Sequence, residues 1–347
     1  MKTAWKYLKF ELKKNLWTIA VLTAVCALPY ISTLATMDMV YPYPNIYGGL
    51  TVETPRLSTM LVELVILCFV VPILCYSFKM NKRGVDGFYS LPLKKEKLYF
   101  VKTAVGLAIV FIPFTIAYFG GFFTLLFREN NPYQMGWYIP AYLGCVFFGL
   151  CMYGFNAFLF TRANSVTDGV LFMFAYSIFA YLFFEYYEYL TDDYLKWWIK
   201  DSFTTAGGAT LFIEGMETVI CGRLDDFYAV SFIAPAIFGG AAWFLFFFNL
   251  RYEKGENAEQ VSESWFGFKT IIPIYTAFLV AMGAFEDLFA LCLIAVGAVV
   301  ATVIYRRKFR FQKRFWLMIL GAFALGLLLG GVAEIAEAIR QASVLPA

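Results

Sequence analysis

The sequence predicts an all-α polytopic membrane protein that crosses the bilayer about nine times. Of its 347 residues, 61% are hydrophobic and only 15% are charged, and the mean hydropathy of +0.67 lies far from that of a soluble domain of this length. The apolar residues gather in nine stretches, each near the roughly 20 residues that a helix needs to cross a hydrocarbon core. The basic residues concentrate in alternate connections between those stretches, which is the bias that orients membrane proteins.

Residues 1–14 come first. Lys2, Lys6, Lys9 and Lys13 repeat at helical spacing beside a face carrying Trp5, Leu8 and Leu12, so an interfacial helix on the inner leaflet is expected here. A plain extension of the first span with a solvated lysine face is the other reading. The apolar run 15–34 exceeds a signal-peptide core and lacks a small-x-small cleavage site, so it is expected to stay as the first span. The remaining stretches are 57–77, 103–127, 138–160, 169–184, 228–250, 271–285, 288–304 and 315–332. The seventh and eighth meet at Glu286 and Asp287, as two crossings or as a re-entrant hairpin.

With the amino terminus inside, five basic residues precede the first span, seven lie between Lys79 and Lys102, and six between Arg306 and Arg314. Arg162, Arg251, Lys254 and Lys269 bring the inner share to 22 of the 28 Lys and Arg residues. A cytoplasmic amino terminus and an external carboxyl terminus follow. The chain then divides into the segment 1–14, a six-span core over 15–250, a cytoplasmic loop over 251–270, and three further membrane helices with a short external tail over 271–347. Within the core, 78–102 is cytoplasmic and 185–227 external. The external segment begins with Tyr186, Tyr187, Tyr189, Tyr194, Trp197 and Trp198, which suit the headgroup level. Its later part, 206–221, either re-enters the membrane or forms an external helix.

Catalytic chemistry finds little support. The chain has no histidine, which removes the usual general base of hydrolases and the commonest zinc ligand. Six of the seven cysteines sit in apolar stretches, no two form a C-x-x-C pair, and Cys221 stands alone outside. There is no phosphate loop, dinucleotide fingerprint, nucleophile elbow or H-E-x-x-H motif, so any ATP used must bind another chain. Within the spans, Glu63 and Asn156 are the polar candidates for a transport path. The competing readings are a Glu63 carboxyl hydrated near the outer interface or bonded to another helix, and an Asn156 that makes a helix-helix hydrogen bond. Thr167 and Asp168 are expected to cap the fifth span. Gly326 and Gly330 make one G-x-x-x-G, expected to serve packing within the chain.

The segment 78–102 carries more information. It is strongly basic, yet Val85, Phe88, Tyr89, Leu91 and Leu98 recur at helix-like intervals and need a surface to cover them, either a partner protein or the membrane face. Asp86 is the acidic exception beside Lys82 and Arg83. It is expected to meet a basic group or helix amino terminus on that partner, or to cap its own helix. Pro92 is expected to end the helix.

The run Asn81-Lys-Arg-Gly-Val-Asp-Gly-Phe-Tyr-Ser-Leu-Pro-Leu-Lys-Lys-Glu-Lys-Leu98 resembles the signature of type-2 ABC exporter permeases, in particular the Ytr-like group. Its loop reads approximately S-K-R-x-x-D-x-x-x-S-L-P-[VL]-K-R-E-K-L. Lys82, Arg83, Asp86, Ser90, Leu91, Pro92, Lys94, Glu96, Lys97 and Leu98 match, while Asn81 and Lys95 depart from it. The stretch from Arg251 to Glu259, with Phe268, Lys269 and Pro273, is similar to the loop after the sixth span of that group but more acidic. The resemblance covers residues 1 to about 270, and the last three spans agree only in outline.

That resemblance implies a six-span type-2 ABC exporter core with about three additional C-terminal membrane helices. It implies a dimer with a second permease copy or paralogue, and separate ATPase subunits that hold the ATP and Mg, with no cofactor in this chain. Residues 82–98 would be the coupling helix, and Val85, Asp86, Phe88, Tyr89, Leu91 and Pro92 its ATPase interface. The expected role is export of a hydrophobic or amphipathic cargo, such as a peptide, antibiotic or cell-envelope compound, across a bacterial plasma membrane, with no nucleic acid as partner. A non-transporting membrane sensor or scaffold is the alternative from another class. A lipid-modifying membrane enzyme would need clustered catalytic groups that the sequence does not offer.

Overall fold

Each apolar stretch read from the sequence coincides with a helix among the described residues, to within a residue or so at its ends. The structure is a computed structural model that describes residues 2–36, 40–44, 50–52, 58–127, 135–191, 212, 216, 229–250, 257–260, 262, 264–283, 288–306 and 313–344. Its helices are α1 (Lys2–Thr36), α2 (Ser58–Tyr76), α3 (Lys82–Tyr89), α4 (Lys95–Leu126), α5 (Met135–Thr161), α6 (Val166–Thr191), α7 (Ala229–Asn249), α8 (Phe268–Gly283), α9 (Leu288–Arg306) and α10 (Lys313–Val344). Among the described residues, four segments are long and apolar enough to cross a membrane: Thr3–Ala35, Met60–Met80, Lys95–Leu126 and Tyr138–Thr161. Shorter apolar helices follow at Val166–Ile178, Pro235–Asn249, Phe268–Gly283, Leu291–Tyr305 and Trp316–Val332. Exposed apolar side chains such as Trp17, Val21, Val25 and Leu28 on α1 are what a lipid-facing surface requires.

One feature departs from the all-helical expectation. Strands β1 (Val40–Pro44) and β2 (Leu50–Val52) form an antiparallel ribbon pairing Val40 with Val52 and Pro44 with Leu50. A two-stranded ribbon consists only of edge strands, the place in a sheet where proline is tolerated. Expectations for Cys221, for the segment 206–211, for Glu286 and Asp287, for residues 251–256, and for Arg310 and Ala347 fall outside the described residues. The expected external segment from residue 185 begins as a continuation of α6, which runs to Thr191.

Residues 2–14 are continuous with the first apolar stretch. They are the first turns of α1, which continues without a break through Leu16 and Trp17. No glycine or proline interrupts the helix before Pro29, and Asn15 Nδ2 donates to the Glu11 carbonyl at 2.8 Å. A helix needs such a break to turn sharply.

The chain forms two compact units. The first comprises 1–158 and 212–255, the second 159–211 and 256–347. The fifth apolar helix, α6, therefore groups with the three carboxyl-terminal helices, while α7 returns to the first unit.

In the first unit, α1 and α4 run parallel and in close contact. A Cβ added at Gly121 would lie 2.2 Å from the Tyr30 ring, and one at Gly120 would lie 2.8 Å from Ile31 Cδ1. Nineteen positions earlier on each helix, Glu11 meets Lys102. Glycine is needed at 121 because any side chain would push the pair apart. Near Tyr30, the Tyr118 hydroxyl donates to the Tyr138 carbonyl at 2.9 Å, and the Tyr138 hydroxyl donates to the Tyr118 carbonyl at 3.2 Å. The Glu11 and Tyr30 levels are about 28 Å apart at 1.5 Å per residue, close to the thickness of a hydrocarbon core.

In the second unit, Gly326 of α10 abuts α8, where an added Cβ would lie 2.5 Å from the Ala277 carbonyl oxygen. Gly326 therefore serves packing within the chain. The loops are tied together: Ser262 Oγ donates to the Arg162 carbonyl at 2.9 Å, the Glu259 amide donates to the Asn164 carbonyl at 2.9 Å, and the Tyr305 hydroxyl donates to the Ser262 carbonyl. The cap of α6 is Ser165, whose Oγ accepts from the Asp168 amide at 3.2 Å. Thr167 and Asp168 are thus first-turn residues rather than the cap, with Asp168 placed to complement the helix dipole.

Candidate functional site

The site is built where the chain leaves α2 and enters α4. After Tyr76 the backbone tightens into one 3-10 turn, Ser77–Met80, and Asn81 then starts α3. Asn81 Oδ1 accepts from the Arg83 amide at 3.0 Å, so Asn81 is the helix cap. Asparagine is among the residues best suited to this capping position. Asp86 lies in the second turn of α3 and is exposed, so it does not cap its own helix.

Helix α3 is held by its own chain. Gly84 sits over the 3-10 turn so closely that an added Cβ would lie 2.3 Å from the Phe78 carbonyl oxygen. Val85 is buried, and the Phe88 ring packs on Phe78 with centroids 4.6 Å apart. Phe78 in turn contacts Tyr99 of α4 at 5.7 Å. The apolar residues Val85 and Phe88, expected to wait for a partner, are therefore supplied with an intramolecular surface. Leu91 and Tyr89 are half-buried, and Lys95 Nζ lies 5.0 Å from the Tyr89 ring centroid. The helix ends at Tyr89 with Ser90 as its C-cap. Pro92, exposed, stands two residues beyond that cap, where it prevents the helix from resuming. The face of α3 that remains open carries Lys82, Arg83, Asp86 and Gly87.

An ion pair underlies this assembly. Lys102 Nζ of α4 lies 3.1 Å from Glu11 Oε1 of α1, with side chains only 11% and 4% exposed. The Tyr7 hydroxyl donates to the same carboxylate oxygen at 2.6 Å. Lys102 Nζ also lies 4.5 Å from the Phe88 ring centroid and 5.8 Å from that of Phe78. Sequence reasoning assigned neither Glu11 nor Lys102 to the site. The available signal was position: Glu11 falls on the side of α1 opposite the lysine stripe, and Lys102 follows Leu98 by four residues along the buried stripe of α4.

Tyr76 and Thr103 join their hydroxyls at 2.6 Å, and the buried Tyr76, Tyr99 and Phe246 rings cluster between α2, α4 and α7 with the half-buried Trp243 at their edge. Asn156 is fully buried in α5, and its Nδ2 donates to the Cys68 carbonyl of α2 at 3.1 Å. This is the helix-helix bond anticipated for it. Glu63 is half-buried on α2 and faces the Cys26 thiol of α1, while its Oε2 is buried without a hydrogen-bond partner. Glu63 lies about 140° around α2 from Cys68 and about 7.5 Å along it. It looks toward α1 rather than α5, so the two candidate path residues do not form one site.

Among the described residues, no group of three or more Cys, Asp or Glu side chains is placed to hold a metal ion. Comparison with protein-family models, with curated proteins and with solved structures gives no match to this chain.

Proposed function

We propose that this chain is the membrane-spanning permease subunit of an ATP-driven type-2 ABC exporter, with ATP and Mg bound by separate ATPase subunits. The observation that supports this reading most is α3: a short, capped, basic surface helix between two long apolar helices, carrying a run from Asn81 to Leu98 that resembles the coupling segment of such permeases. In this reading the nine apolar helices all cross a bacterial plasma membrane. The amino terminus and α3 face the cytoplasm, and the carboxyl terminus lies outside. Two copies, or this chain and a paralogue, form the pathway for a hydrophobic or amphipathic cargo. ATP binding closes the ATPase pair, α3 follows the movement, and the apolar helices change access between the two sides.

The test is affinity purification of the full chain from native membranes in mild detergent. The expected result is a stoichiometric ABC ATPase in the eluate, with ATP hydrolysis inhibited by vanadate. A purified chain that is folded and free of any nucleotide-binding subunit would overturn the permease reading.

A further inference from the structure

One ammonium group makes two different attachments. Lys102 Nζ meets the Glu11 carboxylate of α1 at 3.1 Å on one side, and on the other lies against the Phe88 and Phe78 rings at 4.5 and 5.8 Å. The rings belong to α3 and to the turn that precedes it, so three separately folded pieces of chain converge on one atom. The Tyr7 hydroxyl donates to the same Glu11 oxygen at 2.6 Å. With both charged side chains nearly excluded from solvent, neither attachment can be replaced by hydration, and the negative ring faces favour a cation that no carboxylate or alkyl chain could imitate.

We infer that Lys102 is a positioning residue for α3, fixing the direction in which Lys82, Arg83 and Asp86 are presented relative to the α1–α4 pair. A loop without such a tether would absorb a push on α3, whereas this one passes it to two parallel helices locked along their length. What α3 meets rests on the permease reading. The tether itself rests on the contacts named above.

Amide hydrogen exchange on the full chain in nanodiscs of phosphatidylethanolamine and phosphatidylglycerol tests it, because exchange reports local opening without any partner present. The variants are Lys102→Arg, the neutral double variant Glu11→Gln with Lys102→Met, and the exchanged pair Glu11→Lys with Lys102→Glu. The exchanged pair keeps an ion pair between α1 and α4 but turns a carboxylate toward the rings. Amides 83–89 are expected to exchange about tenfold faster in the neutral and exchanged variants, while Lys102→Arg stays within about threefold of wild type and amides 104–118 do not change. Amides 8–18 of α1 should keep wild-type protection in the exchanged pair. Wild-type exchange at 83–89 in the neutral variant, or its full restoration by the exchanged pair, would overturn the inference. Should the exchanged pair fail to fold, the neutral and arginine variants still decide. Expected exchange in a chain that captures no ATPase would remove the permease reading and leave the positioning role, and the converse pattern would do the reverse.

Discussion

Lys102→Ala is expected to be the most damaging single substitution in the first unit, lowering stability by about 3–5 kcal/mol, the usual cost of leaving one member of a buried ion pair without its partner. The Glu11 carboxylate is 4% exposed and retains only the Tyr7 hydroxyl once the ammonium is gone. The substitution also strips the cation from the Phe78 and Phe88 rings. The neutral pair Glu11→Gln with Lys102→Met should recover most of the loss, because removing both charges leaves no orphan to solvate. Thermal unfolding in detergent, followed by size exclusion, checks the order: the single variant melts lowest and the double variant lies near wild type. Raising the salt concentration should leave the difference intact, since buried pairs are poorly screened. Equal melting of the single variant and wild type would show that the pair carries no stability.

The helical architecture was legible because crossing a bilayer imposes one demand, a long run of apolar residues that satisfies its own backbone. The segment 15–34 shows the limit of that signal. Hydropathy marks where the apolar run begins but not where the helix does, and α1 starts at Lys2 because nothing breaks it. The ribbon at Val40–Pro44 left no trace in hydropathy, being short and paired to a segment that gives no span signal. At the site, the spacing of Val85 and Phe88 correctly implied a helix with a covered face. It could not say which surface covers it, and that surface proved to include Phe78 and Lys102 of the same chain. Glu11 and Lys102 were obscured by counting lysines as topology markers. A pairing across 91 positions needs the parallel packing of α1 on α4 to become visible, and that packing depends on Gly120 and Gly121 at the far end.

This burial changes which residue probes a partner. Phe88→Ala acts on the seating of α3, whereas Asp86 is exposed and is not the helix cap, so Asp86→Arg should leave the fold intact. If α3 docks on an ATPase, that reversal places like charge against the basic group that Asp86 meets, a juxtaposition costing about 2 kcal/mol or more, or roughly a thirtyfold loss in affinity. The expected outcome is an unchanged melting temperature with at least a tenfold fall in ATPase recovered per permease. Lowering the salt concentration should not restore it, since repulsion strengthens as screening weakens. Normal recovery with Asp86→Arg would place Asp86 outside any interface.

The most direct measurement is a photo-activated cross-linking amino acid introduced at position 86 of the full chain, irradiated in native membranes, with position 70 as the lipid-facing control. Val70 is exposed on α2 within the apolar segment Met60–Met80. Position 86 is expected to give an ABC ATPase adduct that changes in yield when ATP and vanadate are added, and position 70 lipid adducts alone. Adducts from position 86 confined to lipid or to this chain, with and without nucleotide, would contradict the permease reading.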